Sequence, residues 1–255
     1  VLRYLGHALM KYLMKDPDND LVVDTLYLKA DTLISMENGK WKMENGKTNQ
    51  HFPSSINHQK SKYLLAYNNV LLYSGDLQGK CDSAVYVFSD SIIYFYNDPV
   101  IWSENSQLTA DSINVQLANN QIDKMNMRIN SFIISQDSLL EFNQVKGKNM
   151  TAWFKDDLIN KVYVDGNGQS IYFVLEEDTS LVGMNKVLCS NMIIMFEENK
   201  VKDISFLNNP EAKFIPPHEI EEPEKKLKGF KWRINDKPKL VDLGVLGKGN
   251  KGIGK

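Results

Sequence analysis

A chain of 255 residues with 42% hydrophobic and 10% aromatic residues holds enough apolar side chain for one large β domain or two small ones, and so is not a disordered chain. Its formal net charge of −2 gives no reason to expect nucleic acid as a partner, and no apolar run approaches the roughly 20 residues of a membrane-spanning helix. It begins with neither Met nor a secretory signal, and its first residues already read as mid-strand, so we expect a processed or truncated piece of a longer protein.

Residues 1–15, VLRYLGHALMKYLMK, fit two patterns. Leu2, Leu5, Leu9 and Leu13 would make a helical stripe, whereas Ala8, Met10, Tyr12 and Met14 alternate as in a strand. Leu5-Gly6 followed by Leu9 and Leu13 loosely fits the repeat described below, and we take the segment as a strand. Asp16-Pro17-Asp18-Asn19-Asp20 reads as a turn, and Leu21 to Leu28 leads into a first clear β unit. Residues 37–61 are polar and form a long loop insertion. Within it, Asn38-Gly39 and Asn45-Gly46 bracket Trp41 and Met43, as a small hairpin would. His51 and His58 lie there without a Cys or carboxylate pattern and read as solvated residues, not metal ligands.

Residues 81–102, CDSAVYVFSDSIIYFYNDPVIW, state the organising unit. Cys81 and Asp82 precede apolar residues at alternate places (Ala84, Tyr86, Phe88), Ser89-Asp90-Ser91 breaks the run, and Ile92 to Tyr96 forms a second one closed by Asn97-Asp98-Pro99. The opening pattern is a small residue with apolar residues three, five and seven places on. It returns at Ala110 (Ile113, Val115, Leu117), Gly147 (Met150, Ala152, Phe154) and Cys189 (Met192, Ile194, Phe196). An earlier copy at Ala30 frays at Glu37. Two places before the small residue stands Leu28, Leu108, Val145 or Val187, with Gly79 the exception. That odd offset requires a change of face near the small residue, as at a bulge or sheet corner. The small residues at 30, 81, 110, 147 and 189 are 51, 29, 37 and 42 apart, too uneven for a parallel β-helix and suited to antiparallel strands with variable turns.

Cys81 and Cys189 hold the same place in two copies and read as small buried side chains, with a disulfide between non-adjacent units as the alternative. Asp165-Gly166-Asn167-Gly168 reads as a hairpin turn and not a phosphate loop, and Asn208-Asn209-Pro210 echoes Asn97-Asp98-Pro99. Past Phe214-Ile215-Pro216-Pro217, acidic residues give way to Lys225, Lys226, Lys228, Lys231 and Arg233 with Phe230 and Trp232 between. Such a stretch could touch nucleic acid or anionic headgroups. A solvated linker whose aromatics pack back on the sheet is the reading we adopt. Residues 244–255 are Gly-rich and basic, either flexible or derived from cloning.

Nucleophile elbow, zinc helix, P-loop and Cys-x-x-Cys motifs are all lacking. Asp31, Asp82 and Asp111 could form the carboxylate ladder of a glycan-active solenoid enzyme. The next two copies carry Lys148 and Ser190 at that place, which fits a turn position better. The apolar places Tyr86, Phe88, Ile113, Val115, Leu117, Met150, Phe154, Met192, Ile194 and Phe196 share one face of an extended sheet. They line either an ordinary packed core or a trough that meets a ligand's hydrocarbon; periodicity is the same for both.

Several runs resemble a known family. Leu26 to Leu33, Gly79 to Ser83, Pro99 to Ser103, Asn143 to Lys148, Val164 to Gly168 and Gly229 to Trp232 look like the Bacteroidetes-type OstA-like proteins of the lipopolysaccharide-transport (LptA/OstA) superfamily, over about residues 5–238. The resemblance implies an all-β fold, an antiparallel β-jellyroll or β-taco built from stacked strand-turn-strand repeats and open at its ends. It would span residues 1–217, with 218–255 as a tail that is partly extended or flexible. It implies a non-enzymatic, periplasmic, outer-membrane-associated module without cofactor, metal or nucleic acid. Its partners would be lipopolysaccharide or lipid A acyl chains and other Lpt-type jellyrolls, or further copies of itself, docked by edge-strand stacking. A filled scaffold of the outer-membrane assembly machinery is the alternative from a different class.

Overall fold

The computed structural model describes residues 2–15, 22–37, 62–75, 77–119, 121–155, 158–177, 179–197 and 200–245. The turn expected at 16–20, the hairpin and histidines expected within 37–61, and the end at 246–255 lie outside the described residues. Among the described residues helical structure is limited to four short 3-10 turns, and everything before residue 216 is strand or turn. The strands are β1 (Leu2–Lys15), β2 (Val22–Glu37), β3 (Lys62–Tyr73), β4 (Leu77–Val87), β5 (Ile92–Tyr96), β6 (Val100–Ser103) and β7 (Ser106–Thr109). They continue as β8 (Ser112–Ala118), β9 (Gln121–Gln136), β10 (Phe142–Lys155), β11 (Leu158–Glu176), β12 (Ser180–Glu197), β13 (Lys200–Leu207) and β14 (Glu211–Ile215). All pair antiparallel in one sheet, in the order β1-β2-β3-β4-β5-β8-β9-β10-β11-β12-β13; β6 and β7 bridge β4 to β9, and β14 extends β12. Among the described residues no ladder joins β1 to β13 or β14, so the sheet is open at both ends.

One line of corners folds this sheet on itself. In β3 the pairing to β4 jumps from Tyr67↔Ser83 to Val70↔Cys81, so two residues, Asn68 and Asn69, oppose the single Asp82. The same two-against-one bulge recurs along the whole sheet. Gly6-His7 opposes Asp31, Ile129-Asn130 opposes Lys148, and Gly166-Asn167 opposes both Lys148 and Ser190. Where the chain passes from β5 to β6 and from β13 to β14, Asn97-Asp98 and Asn208-Asn209 take the two-residue place. From Asn68-Asn69 onward, both residues of every two-residue corner have positive φ, which Gly, Asn and Asp adopt most readily. The one-residue corners are the five copies of the sequence repeat. One extra residue reverses the alternation, so Leu77 and Cys81 face inward before the corner of β4, and Ala84 and Tyr86 after it.

This geometry explains the small residue and the aspartate. A Cβ added to Gly147, the small residue of its copy, would meet Val164 Cγ1 at 2.3 Å. Asn69 Nδ2 donates to Asp31 Oδ2 (2.8 Å), Asn97 Nδ2 to Asp82 Oδ2 (3.3 Å) and Asn130 Nδ2 to Asp111 Oδ1 (3.1 Å). The aspartates therefore fasten neighbouring corners and do not line a cleft. Cys81 and Cys189 are buried, free thiols; burial pushes the Cys81 thiol up to about 12, so it is inert.

Two expectations are corrected. Asp165 to Gly168 is not a hairpin turn: it lies inside β11, where Gly166 and Asn167 turn a corner within one strand. In β1 the strand reading holds, but Leu5, Leu9 and Leu13 do not continue the repeat. They are 67%, 42% and 42% exposed, while Ala8, Met10 and Tyr12 pack on the core. Gly6-His7 is a corner of the two-residue kind, which leaves the alternation unchanged.

Residues 216–245 run as a strap across the outer face of one arm. Leu227, Ile220, Phe230 and Trp232 pack on Phe132, Phe142, Ile171 and Phe173, with the Phe230 and Trp232 rings 5.3 and 5.2 Å from Phe142. Two buried glutamines grip its backbone in the same way. Gln144 accepts from Leu227 N (2.9 Å) and donates to Lys225 O (2.6 Å). Gln107 accepts from Arg233 N (2.6 Å) and donates to Lys231 O (2.7 Å). Lys80 and Arg233 both bind Asp236, at 2.9 Å each. The chain between the aromatics is therefore held to the sheet and is not a solvated linker.

Ile129 is the β-branched residue among the left-handed corner positions, with φ 61° and its side chain 53% exposed. Ile129→Asn should raise stability by about 1 kcal/mol, read as a higher urea midpoint at constant m; an unchanged midpoint would show that this corner is unstrained. Hydrogen bonds from Lys80, then Arg233, hold the Asp236 carboxyl below its usual range against partial burial. A depressed folded value stabilises fully above the unfolded value near about 4, and that contribution is lost as pH falls through the folded value. The thermal-midpoint gap between the native chain and Asp236→Asn should therefore close as pH falls from about 6 to about 2. A gap that persists in acid would mean the charge is not what holds the strap.

Candidate functional site

The two arms created by the corners face each other across one apolar interior. Repeat places three, five and seven form three rows at increasing distance from the crease. Nearest it lie Ile113, Met150 and Met192, each no more than 1% exposed; next come Tyr86 at 4%, with Val115 and Ile194 at 1%. In the outermost row Phe154 is 8% exposed, and Phe88, Leu117 and Phe196 are half-buried. All ten sequence-predicted residues belong to, or pack against, a single cluster. The Tyr86 and Phe88 rings lie 4.3 Å apart.

Residues beyond places three, five and seven complete the interior. The intervening strands supply Ile93, Phe95, Met125, Met127, Val162 and Val164, and the opposing arm supplies Leu28, Leu72, Leu77, Ile101, Leu108 and Ile133. The strict alternation of Met125-Asn126-Met127 and Val162-Tyr163-Val164 was the available signal for them. Met125, Met127, Met150 and Met192 are all essentially fully buried, and unbranched thioethers adapt readily to irregular shapes. Among the titratable groups of this lining, burial first, then Tyr12, pushes the Tyr86 phenol up to about 12, and burial raises the Cys81 and Cys189 thiols as well. Among the described residues the interior thus carries no charge near neutral pH.

At the lip, away from the crease, the arms part around a cleft of about 670 Å³. One side is polar, with Ser103, Asn105, Ser106, Ser135, Asp137 and Asn143; Ile159, Leu175, Phe196 and Val201 supply apolar surface. Phe196 lines both this cleft and the interior. At the two sheet ends, β1 exposes Leu2, Tyr4, Leu5, Leu9 and Leu13, and the far edge exposes Leu207 and Phe214. No helix among the described residues is long and apolar enough to cross a membrane.

No family model matches the chain, and no curated protein matches it. Among solved structures it is similar to LptH from Pseudomonas aeruginosa, the LptA-homologous periplasmic component of the conserved lipopolysaccharide transport device, at 11% identity and a TM-score of 0.43. That similarity covers 55% of this chain and 95% of the other. At that level it is a likeness only and carries no functional weight.

Burial graded from crease to lip makes a thermodynamic prediction. Met150→Ala should destabilise by about 2–5 kcal/mol, as in a packed core, and Phe88→Ala by less than half as much. Urea unfolding of both variants checks this; equal losses would mean that the lip is packed as tightly as the crease.

Proposed function

We propose that the chain is a non-enzymatic lipid-binding module of the periplasm that carries or bridges lipopolysaccharide toward the outer membrane. The observation that carries this reading is the continuous, uncharged apolar interior between two arms, closed at the crease and loosening toward the lip. Eleven strands along the sheet path at about 4.8 Å spacing give that interior a length near 48 Å. An acyl chain in water costs about 0.8 kcal/mol per CH₂, and a lining without charge removes that cost along its length. The resemblance of Leu26 to Leu33, Asn143 to Lys148 and the other runs to the OstA-like proteins supports the same reading.

The unpaired edges support docking of Lpt-type jellyrolls, or a second copy, by strand addition. Among the described residues β1 has a ladder partner on one side only, and it displays Leu9 and Leu13 outward, the kind of edge that invites pairing. The second reading, a filled scaffold without lipid, is favoured by the row nearest the crease, where Ile113, Met150 and Met192 are fully enclosed.

Photo-crosslinking groups at Phe88, Leu117 and Phe154 decide between them. They should capture lipid A, with the half-buried lip positions more efficient than Phe154. Capture from surface positions alone would leave the scaffold reading.

A further inference from the structure

The two arms differ in how they are backed. One is a double layer: the strap lies over Phe132, Phe142, Ile171 and Phe173, and its ties reach β10 through Gln144, β7 through Gln107 and β4 through Lys80. Near the end of the strap, Lys29 of β2 donates to Asp242 O, so the backing crosses nearly the whole arm. The other arm, from β8 to β12, has no such second layer among the described residues. Asn114, Asn126, Thr151 and Tyr163 on its outer face are only half-buried. Single side-chain hydrogen bonds join them, Asn126 Nδ2 to Asn114 Oδ1 (2.9 Å) and Thr151 Oγ1 to Asn126 Oδ1 (3.1 Å). Resistance to bending rises steeply with thickness, so the single layer yields first. The walls also adhere poorly at the lip. Of the cleft residues, Ser103, Ser106, Ser135 and Asn143 belong to the strapped arm, and Ile159, Phe196 and Val201 to the other. Hydroxyls and amides set against hydrocarbon lose water and gain little in return. Near the crease, by contrast, Ile113, Met150 and Met192 are closed in apolar contact.

We propose that the strapped arm is a fixed back wall and that the lip half of β8 to β12 is the wall that bends away about the crease to make room for an acyl chain. This rests on the reading that the interior takes such a chain. It adds which wall yields, and it gives the strap a part in that choice: by stiffening one side it directs every opening to the other. Phe196 stands on the yielding wall and lines both the cleft and the interior, so outward bending there joins the two spaces.

β10 and β11 are internal gauges of the two walls, because each is paired on both sides in both arms and no edge effect enters. Amide hydrogen exchange of the full native chain, resolved by NMR, reads local opening along them. It should be at least tenfold faster at Thr151 to Trp153 and Lys161 to Tyr163 than at Gln144 to Lys146 and Ile171 to Phe173. Gln107→Ala with Gln144→Ala frees the main chain of the strap, and Trp232→Ala removes one of its anchors. Both variants should narrow that ratio by raising exchange in the strapped halves. Monomeric dodecyl maltoside, its binding followed by calorimetry, should alter exchange at least fivefold in the yielding halves and less than twofold in the strapped ones. Equal rates in the two halves of the native chain overturn the assignment of the yielding wall and leave the acyl-chain reading standing. So does a ratio that neither variant narrows, or an equal response of both arms to the amphiphile. If calorimetry finds no binding, both readings fall.

Discussion

Two residues against one, repeated along a single line, is the constraint on which the rest of this molecule depends. A flat antiparallel sheet of this size would expose one apolar face along its whole length. Each corner instead bends its strand so that the two halves of that face meet. The bend is stereochemical before it is energetic: left-handed backbone pairs such as Asn68-Asn69 and Asn97-Asp98 set the direction, and the facing single residue takes up the slack. Side chains near the bend have little room, hence the Gly, Ala or Cys at the repeat's first place. The carboxamide–carboxylate contacts between Asn69 and Asp31 and between Asn130 and Asp111 are exposed and individually weak. Their value is positional, since they join one corner to the next.

The proposed function and the support of one arm use different faces of the same sheet. The inner face holds the uncharged lining, while the outer face of one arm has its own apolar cluster under the strap. Because the strap covers Phe132, Ile171 and Phe173, that arm does not present a second greasy surface to solvent. The interior can therefore loosen toward the lip without the arm losing its support. Cross-links from the strap reach several strands, with Gln107 on β7, Gln144 on β10 and Lys80 on β4. It ties the arm together across the direction in which strand pairing is blind.

The repeat made much of this legible before any coordinates. The odd offset between Val145 and Met150 demanded a change of face at Gly147, and the bulge is there. Places three, five and seven led to the interior rows. What misled was the shared chemistry of turns and corners: Asn and Gly with positive φ suit both. Asp165 to Gly168 was therefore read as a chain reversal when it is a bend within β11. At the N-terminus a glycine in a two-residue corner resembled the small residue of the repeat, and Leu9 and Leu13 were assigned to the wrong side. The glutamine grips left no pattern at all, because Gln107 and Gln144 recognise main chain and no periodicity attends a lone buried amide. Nor could the lip cleft be read, since Asp137 and Tyr172 come together only through the fold.

The alternation of corner types has one more outcome. A hairpin consisting of one strand of each kind is a self-sufficient building block, because it enters and leaves the sheet in the same phase. Duplicating or deleting such a pair would change the length by about 10 Å while leaving the cross-section as it was. Inserting a lone strand would instead put two like bends side by side and throw every later side chain onto the wrong surface. Lineages of this architecture are thus free to vary their span, but only in even steps.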